Sequence, residues 1–368
     1  LTAFRKLMVD ACRLIEKVLG MTDTKIKIKN LYKVFGADPK SAMEQVRNGV
    51  SKQDLLEKHS HVLGLRDINI DIPEKGISVI MGLSGSGKST LIRHINRLIE
   101  PTEGQVVIDD IDILGMSIEE LRTFRRNKAS MVFQKFALFP HRTVMQNTAY
   151  GLTIQKIAEK EAIERSQHWI ERVGLSGFEN HYPAQLSGGM QQRVGLARAL
   201  TTDAEILLMD EAFSALDPLI RTDMQGILLD LQAELNKTIV FITHDLDEAL
   251  RIGDGITILR DGEIIQQGSP QDIVMKPADD YIADFIKDVN RSRVLQVRSI
   301  MVPAKSGIGP HLDQNMPLED ALSRLSSEGV SEGSVVDQAG KVIGQIALAA
   351  AVEAIRRPER SSQDLQYR

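Results

Sequence analysis

The chain contains little cysteine, few aromatic residues and no long apolar run. Its 368 residues include one cysteine, Cys12, and aromatic side chains make up 4% of the total. A single thiol cannot form an internal disulfide, which excludes a disulfide-stabilised scaffold and is typical of proteins in a reducing compartment. No stretch approaches the roughly 18 apolar residues that a membrane-spanning helix needs, so we expect none.

Charge of either sign is also not in large excess. The chain has 45 basic and 50 acidic side chains, which give a formal net charge of −5. Because this balance does not favour non-specific binding to nucleic acid, we expect no nucleic-acid partner. The apolar fraction of 42% is sufficient for a packed core, and the length exceeds that of one usual domain.

A glycine-rich loop is the first feature that predicts a chemistry. Residues 82–89 read Gly-Leu-Ser-Gly-Ser-Gly-Lys-Ser, between an apolar run at 76–81 and a helical pattern at 90–95. Between a strand and a helix, such a loop directs backbone N–H groups and the positive helix N-terminus at a triphosphate. We expect Lys88 to contact the β- and γ-phosphates and Ser89 to bind Mg²⁺. The predicted ATP-binding residues of the loop are Gly82, Leu83, Ser84, Gly85, Ser86, Gly87, Lys88, Ser89 and Thr90.

Three further apolar runs end in polar side chains that suit ATP hydrolysis. The run at 206–209 precedes Asp210 and Glu211 and predicts a strand buried on both faces of a parallel sheet. We expect Asp210 to bind Mg²⁺ and Glu211 to polarise the attacking water. His244 and Gln134 each follow another short run. The predicted catalytic residues are Lys88, Gln134, Glu211 and His244, and the predicted Mg²⁺ ligands are Ser89, Gln134 and Asp210.

Together with the hexapeptide Leu-Ser-Gly-Gly-Met-Gln at 186–191, these motifs resemble those of the ABC transporter ATPase family over residues 24–290. In that resemblance the glycine-rich loop corresponds to the Walker A motif and 206–210 to Walker B. The remaining correspondences are Gln134 with the Q-loop, 186–191 with the family signature, 214–217 with the D-loop and His244 with the switch histidine. The implied fold is α/β: a P-loop ABC ATPase core in which helices flank a mixed sheet, with a helical subdomain at about 116–200.

The resemblance also implies a head-to-tail homodimer in which each subunit completes the ATP site of its partner. The helix after the signature would direct its N-terminus at the partner's γ-phosphate. Adenine is expected to stack on Phe35, with Tyr32 as the rival. The predicted contacts to the ATP of the partner subunit are Ser187, Gly188, Gly189, Gln191 and Asp217.

An insertion at residues 37–63 refines the resemblance. Minimal members of the family have a short turn here, whereas this chain has helical patterns at 41–47 and 51–59. With the segments 30–36 and 96–102, the insertion resembles ATPases of the glycine betaine, proline and choline importer group. This implies two transmembrane permease subunits, contacted by the apolar segment 135–145, and a periplasmic or extracellular substrate-binding protein. It also implies a peripheral location on the cytoplasmic face of the bacterial plasma (inner) membrane.

The two ends of the chain predict smaller parts. Apolar side chains from Phe4 to Leu19 follow helical spacing, so we expect an N-terminal helical extension over 1–23. In the tail, residues 291–368, the segment 294–356 reads as strand, helix, strand, turn, strand, helix, with the first strand at 297–301. This order resembles one cystathionine-β-synthase-type (CBS) repeat, a small α+β regulatory domain.

Two alanines in this tail bear on its function. Ala347 and Ala350 stand where adenosine-binding CBS repeats have a Thr or Ser and an Asp, and neither side chain forms hydrogen bonds. We therefore expect a dimerisation or ionic-strength-responsive element rather than an adenylate site.

Other functions are weighed against uptake of a quaternary amine. A soluble ABC ATPase acting in DNA repair or on ribosomes would need a long coiled-coil insertion or a second cassette, and the sequence has neither. A non-catalytic scaffold conflicts with intact Lys88, Glu211 and His244. An importer of the methionine type is the closer alternative. The carried solute stays open among betaine, choline, carnitine, proline and trimethylamine N-oxide.

Overall fold

The protein divides into two compact units between Ile265 and Gln266. The computed structural model describes residues 23–134, 136–214, 216–304, 307–337 and 339–356. The predicted N-terminal helix lies outside these residues, apart from Asp23. The division lies earlier than the boundary expected at residues 290 and 291, because the segment after Gln266 packs against the tail.

An antiparallel sheet forms one layer of the first unit. Its order is β2–β1–β4–β5. Its strands are β1 (Thr24–Phe35), β2 (Val62–Pro73), β4 (Glu103–Ile108) and β5 (Ile111–Asp112). Buried residues alternate over 26–28 of β1 and over 68–72 of β2, which is the pattern of strands with one face against a core, and register shifts break the alternation elsewhere.

A six-stranded sheet of order β10–β9–β3–β8–β7–β6 forms the second layer. The pairs β6–β7, β7–β8, β8–β3 and β3–β9 are parallel. Every residue of β7 and β8 is buried, as continuous apolar runs in a parallel sheet predict. The strands are β3 (Ile77–Met81), β6 (Ala129–Val132), β7 (Ile206–Asp210), β8 (Thr238–Thr243), β9 (Gly255–Arg260) and β10 (Glu263–Gly268).

Helices connect these strands. In chain order they are α1 (Met43–Arg47), α2 (Lys52–His59), α3 (Lys88–Ile95), α4 (Ile118–Asn127), α5 (Val144–Thr148), α6 (Tyr150–Gln155), α7 (Glu159–Arg172), α8 (Gly188–Thr201), α9 (Pro218–Leu235) and α10 (Leu246–Ile252). The main core joins both sheets through α3, α4 and the inner faces of their strands. Helices α5 and α7 pack on α8 within the predicted helical subdomain, and β6 lies between α4 and α5 in the chain.

The insertion after β1 has its own small core. Helices α1 and α2 lie close to the two predicted positions. Their apolar side chains pack with those of the adjoining strands in a cluster of Val34, Ala42, Met43, Val46, Leu55 and Leu63. The insertion is therefore an ordered layer on β1 and β2, not an extended loop.

The second unit is α+β. Its helices are α11 (Pro270–Met275), α12 (Asp280–Ile286), α13 (Arg291–Val294), α14 (Leu318–Ser327) and α15 (Leu348–Ile355). Its sheet has the order β11–β14–β13–β12, with β11 (Val302–Pro303), β12 (His311–Asp313), β13 (Glu332–Val336) and β14 (Val342–Ala347). Helix α11 contacts α13, and the Arg291 guanidinium donates to the Val274 carbonyl at 3.1 Å, so the helices after Gln266 belong to this unit.

The predicted strand at residues 297–301 is wrong. Val297–Ser299 is a turn of 3-10 helix, in which the Val297 side chain is fully buried and its N–H donates to the Met316 carbonyl at 2.9 Å. A single buried valine accounts for the apolar pattern that suggested a strand. The strand that pairs in parallel with β13 is instead β12, which the sequence analysis missed.

Among the described residues, no helix combines the length and apolar character that crossing a membrane requires.

Helix α3 contains a fully buried histidine, His94. Its Nδ1 lies 2.6 Å from the Thr90 carbonyl oxygen, and its Nε2 has no hydrogen-bond partner in the described part of the chain. Burial lowers the pKa of His94 from 6.5 to about 4. Between pH 6.5 and pH 4 the His94 imidazole is protonated in the unfolded chain but neutral in the folded protein. The free energy of unfolding is therefore unaffected by His94 above pH 6.5 and falls as the pH drops toward 4.

We expect His94→Asn to reduce this acid sensitivity, because the amide cannot be protonated. Between pH 6.5 and pH 4 the free energy of unfolding of the unmodified protein should fall by up to about 3 kcal/mol more than that of the variant. Urea denaturation followed through the fluorescence of Trp169, the only tryptophan in the sequence, measures both. Equal pH slopes would contradict the prediction.

Candidate functional site

The predicted site residues meet at the carboxyl edge of the parallel sheet. Strand β7 lies between β6 and β8 with parallel register, so all three strands end at the same edge. Asp210 ends β7, His244 directly follows β8, and Gln134 lies two residues beyond β6. The glycine-rich loop follows β3, the other parallel neighbour of β8. This edge is where ligands bind in open α/β sheets.

The glycine-rich loop depends on close backbone approach. A Cβ on Gly82 would lie 2.1 Å from the Leu259 carbonyl oxygen, and one on Gly87 would lie 2.7 Å from that of Gly64. The φ angles are +149° and +104°, in the region that favours glycine. Helix α3 begins at Lys88, within the loop and two residues before the helical pattern at 90–95. The loop therefore leads into a helix N-terminus suited to an anion.

Lys88 is buried among carbonyl oxygens and carboxylates. Its Nζ donates to the carbonyls of Gly82 at 2.8 Å and Leu83 at 3.0 Å, and lies 3.8 Å from Glu211 Oε1. Burial lowers the pKa of Lys88, while the charges of Glu211 and Asp210 raise it. The lysine thus lies at the loop where we expect the phosphates.

Asp210 is held between a hydroxyl and a guanidinium. Its side chain is 1% exposed. Ser89 Oγ donates to Oδ1 at 2.8 Å, and Arg93 Nη2 donates to Oδ2 at 3.0 Å. The structure thus brings together two of the three predicted Mg²⁺ ligands, Ser89 and Asp210, as adjacent oxygen donors.

Glu211 is the centre of the predicted catalytic group. Gln134 Nε2 donates to its Oε2 at 2.8 Å, and His244 Nδ1 lies 3.6 Å from the same oxygen. Its φ is +46°, a left-handed conformation that costs energy outside glycine, yet its N–H still donates to the Ile242 carbonyl at 3.1 Å. The backbone therefore turns sharply at Glu211 and separates its carboxylate from that of Asp210.

Phe35 and Tyr32 have different surroundings. Phe35 is 38% exposed, has Lys33 Nζ 4.8 Å from its ring centre and lies against Gly64, which in turn approaches Gly87. Tyr32 packs on the core of the insertion. Of the two, Phe35 is the more exposed, and it contacts Gly64 beside the loop.

The predicted partner contacts lie at helix N-termini. Ser187 is the N-cap of α8, where its hydroxyl accepts from the Met190 N–H, and Asp217 is the N-cap of α9. Gly188 is exposed and Gly189 is half-buried. Gln191 Nε2 donates to the Pro183 and Leu186 carbonyls, so its amide stabilises the signature segment within this chain. Ser187, Gly188 and Asp217 present an exposed surface.

The sequence analysis missed three arginines. Arg93 contacts Asp210, and its spacing of four residues from Ser89 on one helix was a usable signal. Arg198 of α8 donates to the carbonyls of Ala137 at 2.8 Å and Phe136 at 2.9 Å, two residues with left-handed backbone. It thereby connects the signature helix to the segment after Gln134.

The third arginine is Arg221 of α9. It donates to Asp245 Oδ2 at 2.9 Å and to the Leu216 carbonyl at 3.2 Å. It therefore connects the predicted D-loop to the residue after His244. In the sequence, the only signal for Arg221 was its spacing of four residues from Asp217.

Comparisons with known proteins agree with this geometry. The family model described as ABC transporter matches residues 65–214. The glycine betaine transport ATP-binding protein of Bacillus subtilis (strain 168) is 51% identical over 322 residues, which cover 88% of this chain and 76% of that protein. The glycine betaine/proline betaine transport ATP-binding protein of Escherichia coli (strain K12) is 48% identical over 88% of this chain and 81% of its own length.

A solved structure shares the fold. It is described as a dimeric post-hydrolysis state of an ATP-binding cassette bound to ADP and phosphate. It is 34% identical, with a TM-score of 0.57, and the match covers 67% of this chain and 98% of that chain. The predicted P-loop ABC ATPase fold is thereby confirmed.

We expect Glu211→Gln to keep nucleotide binding and to lower ATP hydrolysis by about 100-fold or more, since an amide cannot accept a proton from water. Phosphate release and nucleotide titration measure the two properties separately, and size-exclusion chromatography with ATP should show a trapped dimer. Glu234→Gln is the matched control, because Glu234 lies on α9 and makes an exposed ion pair with Arg172 of α7. Hydrolysis at the unmodified rate in Glu211→Gln would contradict the assignment of the base.

Proposed function

The chain belongs to the ABC transporter family, in the group of ATP-binding subunits of glycine betaine and related importers, and we propose that it couples ATP hydrolysis to uptake of a quaternary amine or related osmolyte. The observation that carries this proposal is sequence identity of about half over 88% of the chain. The cluster around Glu211 supports it, because a transport motor needs an intact hydrolytic site.

In the proposed reaction, Glu211 accepts a proton from the water that attacks the γ-phosphate. His244 and Gln134 both lie within 4 Å of Glu211 Oε2 and would orient this carboxylate and the water. Lys88 would exchange its carbonyl contacts for the β- and γ-phosphate oxygens and balance their charge. Loop N–H groups and the N-terminus of α3 would hold the remaining phosphate charge, and Phe35 would stack on adenine.

The residues at Asp210 fit a magnesium ion. The Ser89 hydroxyl and the Asp210 carboxylate are neighbouring oxygen donors, which is the donor type that Mg²⁺ prefers, and the Gln134 amide oxygen would be a third. Bound there with ATP, the ion would neutralise charge on the phosphates. Arg93 would keep the Asp210 carboxylate in place.

The working form in this proposal is a head-to-tail homodimer. The exposed N-terminal end of α8, with Ser187, Gly188 and Gly189, would meet the γ-phosphate held by the partner, and Asp217 would approach from the D-loop. Gln191 would act indirectly, because its amide already binds the Pro183 carbonyl. Loss of phosphate removes the charge that both subunits bind, so the dimer opens.

The permease subunits would dock on a groove of about 730 Å³ in the helical part. Met145, Ala149, Ile157 and Ile163 supply apolar surface, and Arg142 and Glu159 supply charge. The preceding loop is fixed by the buried Asn147, whose amide binds the carbonyls at both ends of this loop. A transmembrane partner that binds this groove would therefore contact an ordered surface, which the chain joins to Gln134 through the loop that Asn147 holds. The chain would lie peripherally on the cytoplasmic face of the membrane, with a substrate-binding protein on the other side.

The tail would regulate this motor as one CBS-like repeat. The order β12, α14, β13, β14, α15 supports that assignment. Ala347 caps α15 without a side-chain hydrogen bond, and Ala350 lies exposed on the same helix. We therefore keep dimerisation or a response to ionic strength, and not adenylate binding, as its role.

We expect glycine betaine or a related methylated amine to stimulate ATP hydrolysis several-fold when the protein is reconstituted with its permease and substrate-binding protein. Methionine should have no effect. The Glu211→Gln assembly is the control for contaminating ATPases. Stimulation by methionine and by none of the methylated amines would instead favour the alternative importer class.

We also expect no adenylate site in the tail. Calorimetric titration of the full-length Lys88→Ala protein with AMP tests this. The substitution weakens nucleotide binding at the glycine-rich loop, so that remaining AMP binding would report a site in the tail. The absence of saturable binding at millimolar AMP is the expected result. Saturable binding in this variant would contradict the assignment made from Ala347 and Ala350.

A further inference from the structure

The insertion after β1 touches the phosphate-binding loop. Lys52, the first residue of α2, donates from Nζ to the carbonyl oxygen of Gly85 at 2.9 Å. The insertion is held in place independently of this contact. Its own apolar core packs on β1 and β2, and Arg66 donates both to the Val50 carbonyl and to Glu263.

The position of Lys52 in its helix is unfavourable by local rules. A positive side chain in the first turn of a helix opposes the helix dipole, whereas an acidic one is stabilising there. Ser51 and Asp54 already satisfy the N-terminus of α2 in the usual way, since Ser51 accepts from the Asp54 N–H. Lys52 does not stabilise its own helix, so its contact with the Gly85 carbonyl accounts for a lysine at this position.

The contact adds a second hydrogen bond to a peptide group that lies in a flexible, glycine-rich segment. Gly85 and Gly87 both have left-handed φ values, +80° and +104°, and glycine exchanges such conformations at little cost. The peptide between Gly85 and Ser86 is held on its N–H side by the Leu83 carbonyl at 3.2 Å and on its carbonyl side by Lys52. With both ends of this peptide hydrogen-bonded, the loop is held in the conformation that leads into the N-terminus of α3.

We propose that Lys52 is a positioning residue of the ATP site, through which the insertion preorganises the phosphate-binding loop. Preorganisation lowers the cost of ordering the loop when nucleotide binds, so it raises affinity without changing the chemical step. The inference rests on the binding of ATP by this loop, and it assigns the insertion a role at the nucleotide.

Lys52→Met, which keeps the length of the side chain and removes the donor, tests the proposal in the full-length protein. We expect ATP and ADP to bind about threefold to tenfold more weakly, the loss that corresponds to one hydrogen bond of ordinary net strength. KM for ATP should rise by the same factor, with kcat at saturating ATP unchanged. Lys52→Arg should restore affinity, because the guanidinium is also a donor.

Lys58→Met is the matched control. Lys58 lies on the same helix, makes an exposed ion pair with Asp54, and differs from Lys52 in having no contact with the loop among the described residues. The same affinity in Lys52→Met as in Lys58→Met would overturn the proposal, as would a fall in kcat without a rise in KM. If the unmodified protein bound no ATP, the proposed function itself would fail. Titration of Lys88→Ala gives the reference signal of a protein in which ATP binding at the loop is lost.

Discussion

The parallel pairing of β7 between β6 and β8 is the constraint on which the candidate site depends. All five residues of β7 are buried, so a shift of one residue would move its side chains to the opposite faces and carry Asp210 away from Ser89. The Glu211 N–H continues the pairing to Ile242 even as the backbone turns. The carboxylates of Asp210 and Glu211, for which we propose different roles, thus diverge because the backbone turns at Glu211 directly after the buried strand.

Cationic side chains connect the loops at this edge. Arg93, Arg198 and Arg221 each bind a group on a different segment from their own, and two of them bind main-chain carbonyls. Carbonyl contacts do not depend on the identity of the partner residue, so they fix loop shape rather than specificity. Lys52 does the same from the insertion. The residues of the candidate site are therefore supported by cationic donors on neighbouring segments.

The residues that lie together around Glu211 and Asp210 were all named from the sequence, whereas the arginines that support them were not. Runs such as 206–209 combine apolar character with a terminal acid, so both strand and edge position follow from the pattern. For the arginines the sequence offered only a spacing of four residues from Ser89 and from Asp217. It did not indicate their partners, because an arginine on a helix surface reaches groups remote in sequence, as Arg221 reaches Asp245. Val297 shows the converse error: one buried apolar residue in a 3-10 turn produces the same local pattern as a strand.

The link between α8 and the loop after Gln134 has a mechanical consequence. From Ser187, the N-cap, to Arg198 the helix spans about 16 Å at the usual rise per residue. It is therefore one continuous helix that joins the exposed N-cap to the Arg198 contacts. Packing against α5 and α7 provides its pivot, so a tilt of a few degrees at one end displaces Phe136 and Ala137 at the other by a fraction of an ångström. Because those two residues have left-handed torsions that cost energy outside glycine, the orientation of α8 and the backbone conformation after Gln134 are coupled through the Arg198 side chain.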